Sequence, residues 1–359
     1  MNAHTSRNYA RSDARVDDFG LSFAALRSMP FPPIKWLVQG ILPEGATILA
    51  GKPKLGKSWL ALDIAIQVAA TLDGYVLGDR VCSSGDVLYL ALEDNQRRLQ
   101  DRGRKVIGLG SEWPERLTVA TEWPRADQGG IEKIERWARS VQNPVLVIVD
   151  VLTAFRAHPG PRENKSTYAT DYDAVAGLRG LAGKFGLSVL IVHHTRKGES
   201  DDPVDAVSGT LGLTGAADTI LVLNRRADAG DTLYGRGRDI AELDLALIFH
   251  GESCRWMVRG ETADVCRSDE RSKILSVLID ADKPLTPRDI SAAALMPRNN
   301  VDQLLYKMAR AGDVQKSGRG RYIHHMRIDL TDLSESPPDK NDKKVRSEDG
   351  EGADDELSE

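Results

Sequence analysis

Cysteine is scarce in this chain, with three residues among 359. Cys82, Cys254 and Cys266 are far apart and form neither a zinc-binding nor a redox motif. Proteins that stay in a reducing compartment use cysteine in this sparse way. A disulfide-stapled secreted domain is therefore excluded as the class of this chain, and we expect a cytoplasmic protein.

Long apolar runs and an excess of positive charge are also missing. No stretch approaches the roughly 18 consecutive apolar residues that a membrane-spanning helix requires, so we expect no membrane partner. The formal net charge is −5, which excludes bulk electrostatic attraction to nucleic acid. Any contact with nucleic acid must come from local basic patches.

A glycine-bounded loop is the most informative motif that the chain does contain. It has the spacing G-x-x-x-x-G-K-S and lies between an apolar stretch, 46–49, and a helix-like run, 59–65. Glycine lets a backbone turn tightly and approach phosphate oxygens, while the loop N–H groups and the positive end of the next helix face the anion. The sequence predicts a phosphate-binding loop with ATP as cofactor. The residues predicted to bind nucleotide are Gly51, Lys52, Pro53, Lys54, Leu55, Gly56, Lys57, Ser58 and Trp59.

Magnesium is the second cofactor that the motif predicts. Lys57 is expected to reach the β- and γ-phosphates and the Ser58 hydroxyl to ligate Mg²⁺. Asp150 ends the most apolar run, 145–149, so its carboxylate is expected at the carboxyl edge of a parallel sheet beside the phosphates. We predict Asp150 as the second metal contact, with a turn or helix cap as the alternative.

Two acidic residues follow the next predicted strand, 87–92. A carboxylate at that edge can polarise water as a general base. We assign catalysis to Glu93 and expect Asp94 to cap the helix that begins there.

A histidine pair ends the predicted strand 188–192. A polar side chain there is placed to sense the γ-phosphate and to pass that signal to the next loop. Of His193 and His194, we take His194 as the candidate, with a structural role as the alternative.

The order of elements predicts an α/β fold. Continuous β-branched runs alternate with helical patterns, which is typical of a mainly parallel sheet with helices on both faces. Composition divides the chain into a flexible N-terminal arm over 1–28, an ATPase domain over 29–262, a small module over 268–326 and a disordered acidic tail over 329–359.

The small C-terminal module has the pattern of three short helices followed by a basic hairpin, which predicts a winged-helix-like domain. The start of its third helix would meet a DNA groove and its hairpin would contact phosphate. Docking of a protein is the alternative role of such modules. The candidate contacts are Arg298, Asn299, Asn300, Gln303, Lys316, Arg319 and Arg321.

Six segments together resemble a known ATPase family. They are 35–37, the phosphate loop, 91–95, 149–150, 193–197 and 213–218. In this order and spacing they are similar to the RecA-fold P-loop ATPases of the RepA-like group of hexameric replicative helicases, which are often described as AAA-type domains. The resemblance covers about residues 34–258 and implies a RecA-like sheet.

The resemblance also implies a homo-hexameric ring with ATP between subunits. In such rings a basic pair one residue apart often reaches the neighbour's γ-phosphate, and Arg236 and Arg238 have that form. A solvated turn is the alternative for this pair.

Single-stranded DNA in a central channel is a further implication. The loops that would hold it are about 156–170 and 197–213. These loops depart from a simple basic channel because they contain acidic as well as basic residues. The charged residues are Arg156, Arg162, Lys165, Arg196, Lys197, Glu199, Asp201 and Asp202.

The function that these features predict is an ATP-hydrolysing, DNA-associated motor, a ring-forming replicative or recombination helicase. Two other classes stay open. An ATP-dependent DNA-binding regulator would bind duplex in a sequence-specific way without unwinding it. A scaffold or loader ATPase would lose partner recruitment, but keep its ATPase activity, when the residues after Asp329 are deleted.

Overall fold

Strands and helices alternate along most of the chain in a computed structural model that describes residues 21–70, 74–158, 167–195, 202–205, 207, 211–318 and 320–326. Several predictions therefore lie outside the described residues. They concern most of the N-terminal arm, the acidic tail, and Arg162, Lys165, Arg196, Lys197, Glu199, Asp201 and Arg319.

The strands build three sheets. They are β1 (Trp36–Val38), β2 (Leu42–Pro43), β3 (Gly45–Gly51), β4 (Gly74–Val76), β5 (Arg80–Cys82), β6 (Asp86–Ala91), β7 (Leu117–Ala120), β8 (Pro144–Asp150), β9 (Ser188–His194), β10 (Thr219–Arg226), β11 (Gly230–Gly237), β12 (Leu243–His250), β13 (Arg255–Glu261), β14 (Val314–Lys316) and β15 (Tyr322–His324).

The helices are α1 (Phe23–Arg27), α2 (Lys57–Ala69), α3 (Gln96–Ile107), α4 (Gly130–Ser140), α5 (Leu152–Phe155), α6 (Thr167–Phe185), α7 (Leu211–Ala216), α8 (Thr262–Asp280), α9 (Pro287–Ala294) and α10 (Arg298–Ala311). A 3₁₀ turn, Ala126–Gln128, precedes α4. None of the helices in the described ranges has both the length and the apolar character that crossing a bilayer demands.

The central sheet has nine strands in the order β13-β12-β11-β10-β3-β9-β8-β6-β7. The strands from β10 to β7 in this order run parallel. Their apolar residues feed two buried clusters, one around α2 and α3 and the other around α4 and α6. The predicted α/β class, a mainly parallel sheet with helices on both faces, is confirmed.

The edge of this sheet differs from the prediction. Strands β10 to β13 pair as an antiparallel meander, which a mainly parallel pattern does not predict. Strand β11 contains three glycines, and β13 has only three consecutive apolar residues, at positions 256–258, between two arginines. Neither therefore has the long continuous apolar run of a buried strand. Arg236 lies within β11 and not in a turn.

A second, four-stranded sheet with the order β2-β1-β5-β4 was not predicted. Its strands have only two or three residues, too few for a period-2 pattern to be recognised. Its apolar side chains join the cluster around α2, which explains why α2 is buried over most of its surface. The helix that follows the phosphate loop is therefore firmly held.

Two compact units make up the chain, Met1–Cys266 and Arg267–Glu359. In the second unit, helices and a β14-β15 hairpin enclose their own apolar cluster. Leu285 forms a bridge with Tyr322 and so extends the hairpin. The side chain of Thr286 caps α9 and Pro287 is in its first turn.

Candidate functional site

The glycine-bounded loop joins the end of β3 to the start of α2. Gly56 has a φ of +101°, and a Cβ atom there would lie 2.8 Å from Cζ2 of Trp256. A Cβ at Gly51 would lie 2.4 Å from the carbonyl oxygen of Leu223. Only glycine meets both requirements, because it has no side chain and tolerates positive φ. The backbone is thus shaped as a phosphate cradle requires.

Lys57 is held inside this loop. Its Nζ donates to the carbonyl oxygens of Gly51 and Lys52 at 2.7 and 2.9 Å. Burial lowers the pKa of Lys57 to about 8, while the negative charges of Asp150 and Glu93 act in the opposite direction. The ammonium is therefore surrounded by acceptors that phosphate oxygens can replace.

Asp150 ends β8 close to the first turn of α2. The Tyr89 hydroxyl donates to its Oδ2 at 2.8 Å, whereas Oδ1 is buried without a hydrogen-bond partner of normal geometry among the described residues. Burial raises the pKa of Asp150, and the hydroxyls of Tyr89 and Ser58 counteract that rise. A carboxylate oxygen with spare lone pairs beside a serine hydroxyl fits Mg²⁺, which prefers hard oxygen ligands. The cap alternative has no support, since α5 has no side-chain cap.

Within the described ranges, no larger metal cluster competes with this pair of oxygens. The described residues contain no group of three or more histidine, cysteine, aspartate or glutamate side chains able to hold an ion. Mg²⁺ in nucleotide sites is commonly held by one or two protein oxygens together with phosphates. The donor set of Ser58 and Asp150 is of this kind.

Glu93 and Asp94 have different surroundings at the end of β6. Glu93 is 58% exposed, and its Oε2 lies 3.6 Å from Nε2 of His194. Asp94 is paired with Arg98 and Arg102 at 2.7 and 2.8 Å. The prediction that Asp94 caps α3 is wrong, because the cap is Asn95, whose side chain accepts from the N–H of Arg98. Glu93 is therefore the carboxylate that remains available to a water molecule.

The histidine pair lies at the end of β9, between the phosphate-loop strand and β8. His194 pairs with Gly51 in the strand register, and it shares a sheet face with Val192, which packs in the α2 cluster. His193 points to the other face. Burial, followed by the positive charges of His194, Arg156 and Lys57, lowers the pKa of His193 to about 4.

This depressed pKa predicts a pH dependence of stability. In an unfolded chain the imidazole takes up a proton near the ordinary histidine pKa of about 6.5, whereas in the folded chain the pKa of His193 is about 4. The free energy of unfolding should therefore fall as the pH drops through this window. His193→Gln should lose less stability than the wild type between about pH 7 and about pH 5, as measured by urea denaturation. His250→Gln, at the exposed end of β12, serves as the control. An equal loss of unfolding free energy in all three proteins would show that His193 is not the source of the pH dependence.

Arg236 and Arg238 do not join the site of their own chain. Arg236 pairs with Asp202 at 3.2 Å and with Glu242 at 3.6 Å, and Arg238 pairs with Asp218 at 3.5 Å. Both guanidinium groups belong to side chains that are about half exposed. Arg236 is opposite Ile220 near the start of β10, whereas the phosphate loop follows the end of β3. Ile220 in turn pairs with Ile48 in the middle of β3, so Arg236 lies beside the body of the sheet and not at the carboxyl ends of the strands, and Arg238 follows the end of β11.

Two residues that the sequence did not single out support the site. Nε1 of Trp256 donates to the carbonyl oxygen of Gly56 at 3.2 Å from strand β13, some 200 positions away. Its ring meets Phe249 edge-on at 5.0 Å. The second is Tyr89, described above with Asp150.

Trp59 is one of the residues predicted to bind nucleotide. Its ring lies beneath the guanidinium of Arg102 at 4.7 Å, so its side chain packs α2 against α3.

The basic residues predicted to contact DNA on the second unit are only partly described. Arg298 begins α10 and pairs with Asp302 at 3.5 Å. The other described candidates are exposed on α10 and the hairpin: Asn299, Asn300, Gln303, Lys316 and Arg321. In the first unit, Arg156 is paired with Asp171 at 2.9 Å.

Comparisons with a family model and with solved structures both find similar proteins. A family model described as an AAA domain matches residues 10–200, which is more than half of the chain. The solved structure of a DnaB-like replicative helicase, reported with its interactions with primase, aligns at a TM-score of 0.49 and 14% sequence identity. The alignment covers 63% of this chain and 62% of that one, so the chain spans less than two thirds of that protein's length. A search of curated proteins finds no match.

Proposed function

The chain belongs to the AAA domain family, and on that premise we propose that it is an ATP-hydrolysing motor that acts on DNA. The observation that carries the proposal is the convergence of four strand ends at one sheet edge. There, Lys57 and Ser58 follow β3, Glu93 follows β6, Asp150 ends β8 and His194 ends β9. Ligands of open α/β sheets bind at this edge.

ATP binding is assigned to the phosphate loop and the first turn of α2. The loop N–H groups and the Lys57 ammonium hold the β- and γ-phosphates, and Ser58 and Asp150 would hold Mg²⁺. When bound, Mg²⁺ supplies positive charge that neutralises the phosphates. The spare Oδ1 of Asp150 and the carbonyl-bound ammonium of Lys57 support this assignment.

Hydrolysis is assigned to Glu93. Its carboxylate orients a water molecule and accepts its proton as the water oxygen attacks the γ-phosphorus, and the bond to the bridging oxygen breaks to release ADP and phosphate. The exposure of Glu93, in contrast to the paired Asp94, supports this choice. His194, 3.6 Å from Glu93, senses the γ-phosphate.

A ring is the assembly that we propose, with a homo-hexamer as its form. Arg236 or Arg238 would act on the ATP of a neighbouring subunit, since a planar and permanently charged guanidinium stabilises transferring phosphate. Their half exposure and their ion pairs with residues outside the phosphate loop of their own chain support a role across an interface. We propose that the central channel binds single-stranded DNA and that the second unit is a winged helix that binds duplex DNA. The function proposed for the chain is that of a replicative or recombination helicase.

Substitution of Lys57 tests the ATPase assignment. Lys57→Ala should lower the rate of ATP hydrolysis by about 100- to 1,000-fold, because it removes the buried positive charge that faces the phosphates. Phosphate release by the full chain with Mg²⁺ measures the rate. Lys184→Ala removes a surface ammonium that pairs with Glu135 and should retain wild-type turnover. Unchanged hydrolysis in Lys57→Ala would overturn the assignment.

A further inference from the structure

We propose that Tyr89 is a positioning residue, which fixes Asp150 so that Oδ1 is presented to the magnesium site. The inference rests on the proposed function and adds Tyr89 as a residue that acts on the magnesium site through Asp150. Its basis is the hydrogen bond of 2.8 Å from the Tyr89 hydroxyl to Oδ2 of Asp150.

The strand register explains why the two side chains meet. Tyr89 on β6 is opposite Ile148 on β8, and Asp150 follows two residues later, opposite Ala91. Residues two apart on a strand share a face, so Tyr89 and Asp150 are diagonal neighbours on the α2 side of the sheet. Both are buried, with exposures of 0% and 5%. The contact is therefore built into the paired strands and excludes water.

The hydrogen bond gives the two carboxylate oxygens of Asp150 different roles. A buried carboxylate is costly unless its oxygens have partners. Oδ2 has the phenol, and Oδ1 has no partner of normal geometry among the described residues. A carboxylate oxygen can only accept and the phenolic hydroxyl is the donor in this bond. Asp150 is thereby held in one rotamer with Oδ1 directed to the remaining ligand position.

A purely structural hydrogen bond would have a different signature. It would contribute to the free energy of unfolding and leave the metal dependence of nucleotide binding unchanged. Groups that orient a metal ligand, in contrast, typically change metal affinity or activity by about 10- to 100-fold when they are removed. Metal dependence in the absence of turnover therefore separates the two roles.

The test compares Tyr89→Phe with the wild-type full chain in calorimetric titrations with ADP. Phenylalanine keeps the ring in the core and removes only the hydroxyl. We expect ADP affinity in EDTA to stay the same and the Mg²⁺ concentration needed for tight binding to rise by about 10- to 100-fold. The matched control is Tyr234→Phe on strand β11, which removes another phenol-to-carboxylate hydrogen bond, of 2.7 Å to Glu242. It should show the Mg²⁺ dependence of the wild type.

A double substitution shows whether the effect passes through Asp150. Once Asp150→Asn has removed the charged ligand, adding Tyr89→Phe should produce no further change in Mg²⁺ dependence. A Tyr89→Phe protein with wild-type Mg²⁺ dependence would overturn the positioning role alone, and so would a further loss in the Asp150→Asn background. A wild-type chain that binds no ADP would overturn the proposed function together with this inference.

Discussion

Glu93→Gln should slow ATP hydrolysis by about 10²- to 10⁴-fold and leave ATP binding intact. The amide has nearly the shape of the carboxylate and cannot accept the proton of the attacking water. Glu93 is 58% exposed and contributes little to the core, so the substitution should not disturb the fold. The loss should therefore appear in the chemical step and not in the affinity for nucleotide.

Single-turnover phosphate release and equilibrium binding of ATP together measure this separation. Glu132→Gln, on the exposed first turn of α4, makes the same chemical change elsewhere and should retain wild-type rates. Turnover by Glu93→Gln within about tenfold of the wild type would show that another group activates the water. Loss of ATP binding would show that Glu93 has a different role.

Trp256→Ala should reduce the free energy of unfolding by about 3–5 kcal/mol. The side chain is 2% exposed and packs edge-on against Phe249, so its removal leaves a large cavity. The same change removes the donor to the carbonyl oxygen of Gly56, which precedes α2. We therefore expect weaker nucleotide binding in addition to lower stability.

Two further tryptophan variants separate packing from the hydrogen bond. Trp256→Phe keeps an aromatic ring and removes the N–H, so the hydrogen bond itself should account for about 0.5–1.5 kcal/mol. Trp113→Ala removes a ring that is 49% exposed and should cost clearly less than Trp256→Ala. Urea denaturation measures the three unfolding free energies. An unfolding free energy of Trp256→Ala within about 1 kcal/mol of the wild type would contradict the role of this residue in the core.

The sequence could predict the parts of the site that depend on local pattern. The spacing from Gly51 to Ser58 defines the loop, and apolar runs locate the ends of β6, β8 and β9. Because parallel strands share a carboxyl edge, residues that follow different strands can be expected to converge without knowledge of any contact. Glu93, Asp150 and His194 were found in this way.

The remaining features depend on pairings between distant segments. Tyr89 has the pattern of any buried strand residue, and only the register of β6 with β8 brings it to Asp150. Trp256 reaches Gly56 because β13 joins the sheet as an edge strand. The cap of α3 is Asn95 and not the predicted Asp94, whose carboxylate forms ion pairs with Arg98 and Arg102. Local propensity contains no information about such partners.

The measurement that tests the central claim most directly is ATP turnover by the full chain with Mg²⁺, with and without single-stranded DNA, together with the particle mass in the same buffer. A DNA-associated motor predicts hydrolysis that single-stranded DNA stimulates, performed by a particle of several subunits. Hydrolysis that is indifferent to DNA, or that comes from a monomer, would contradict the account.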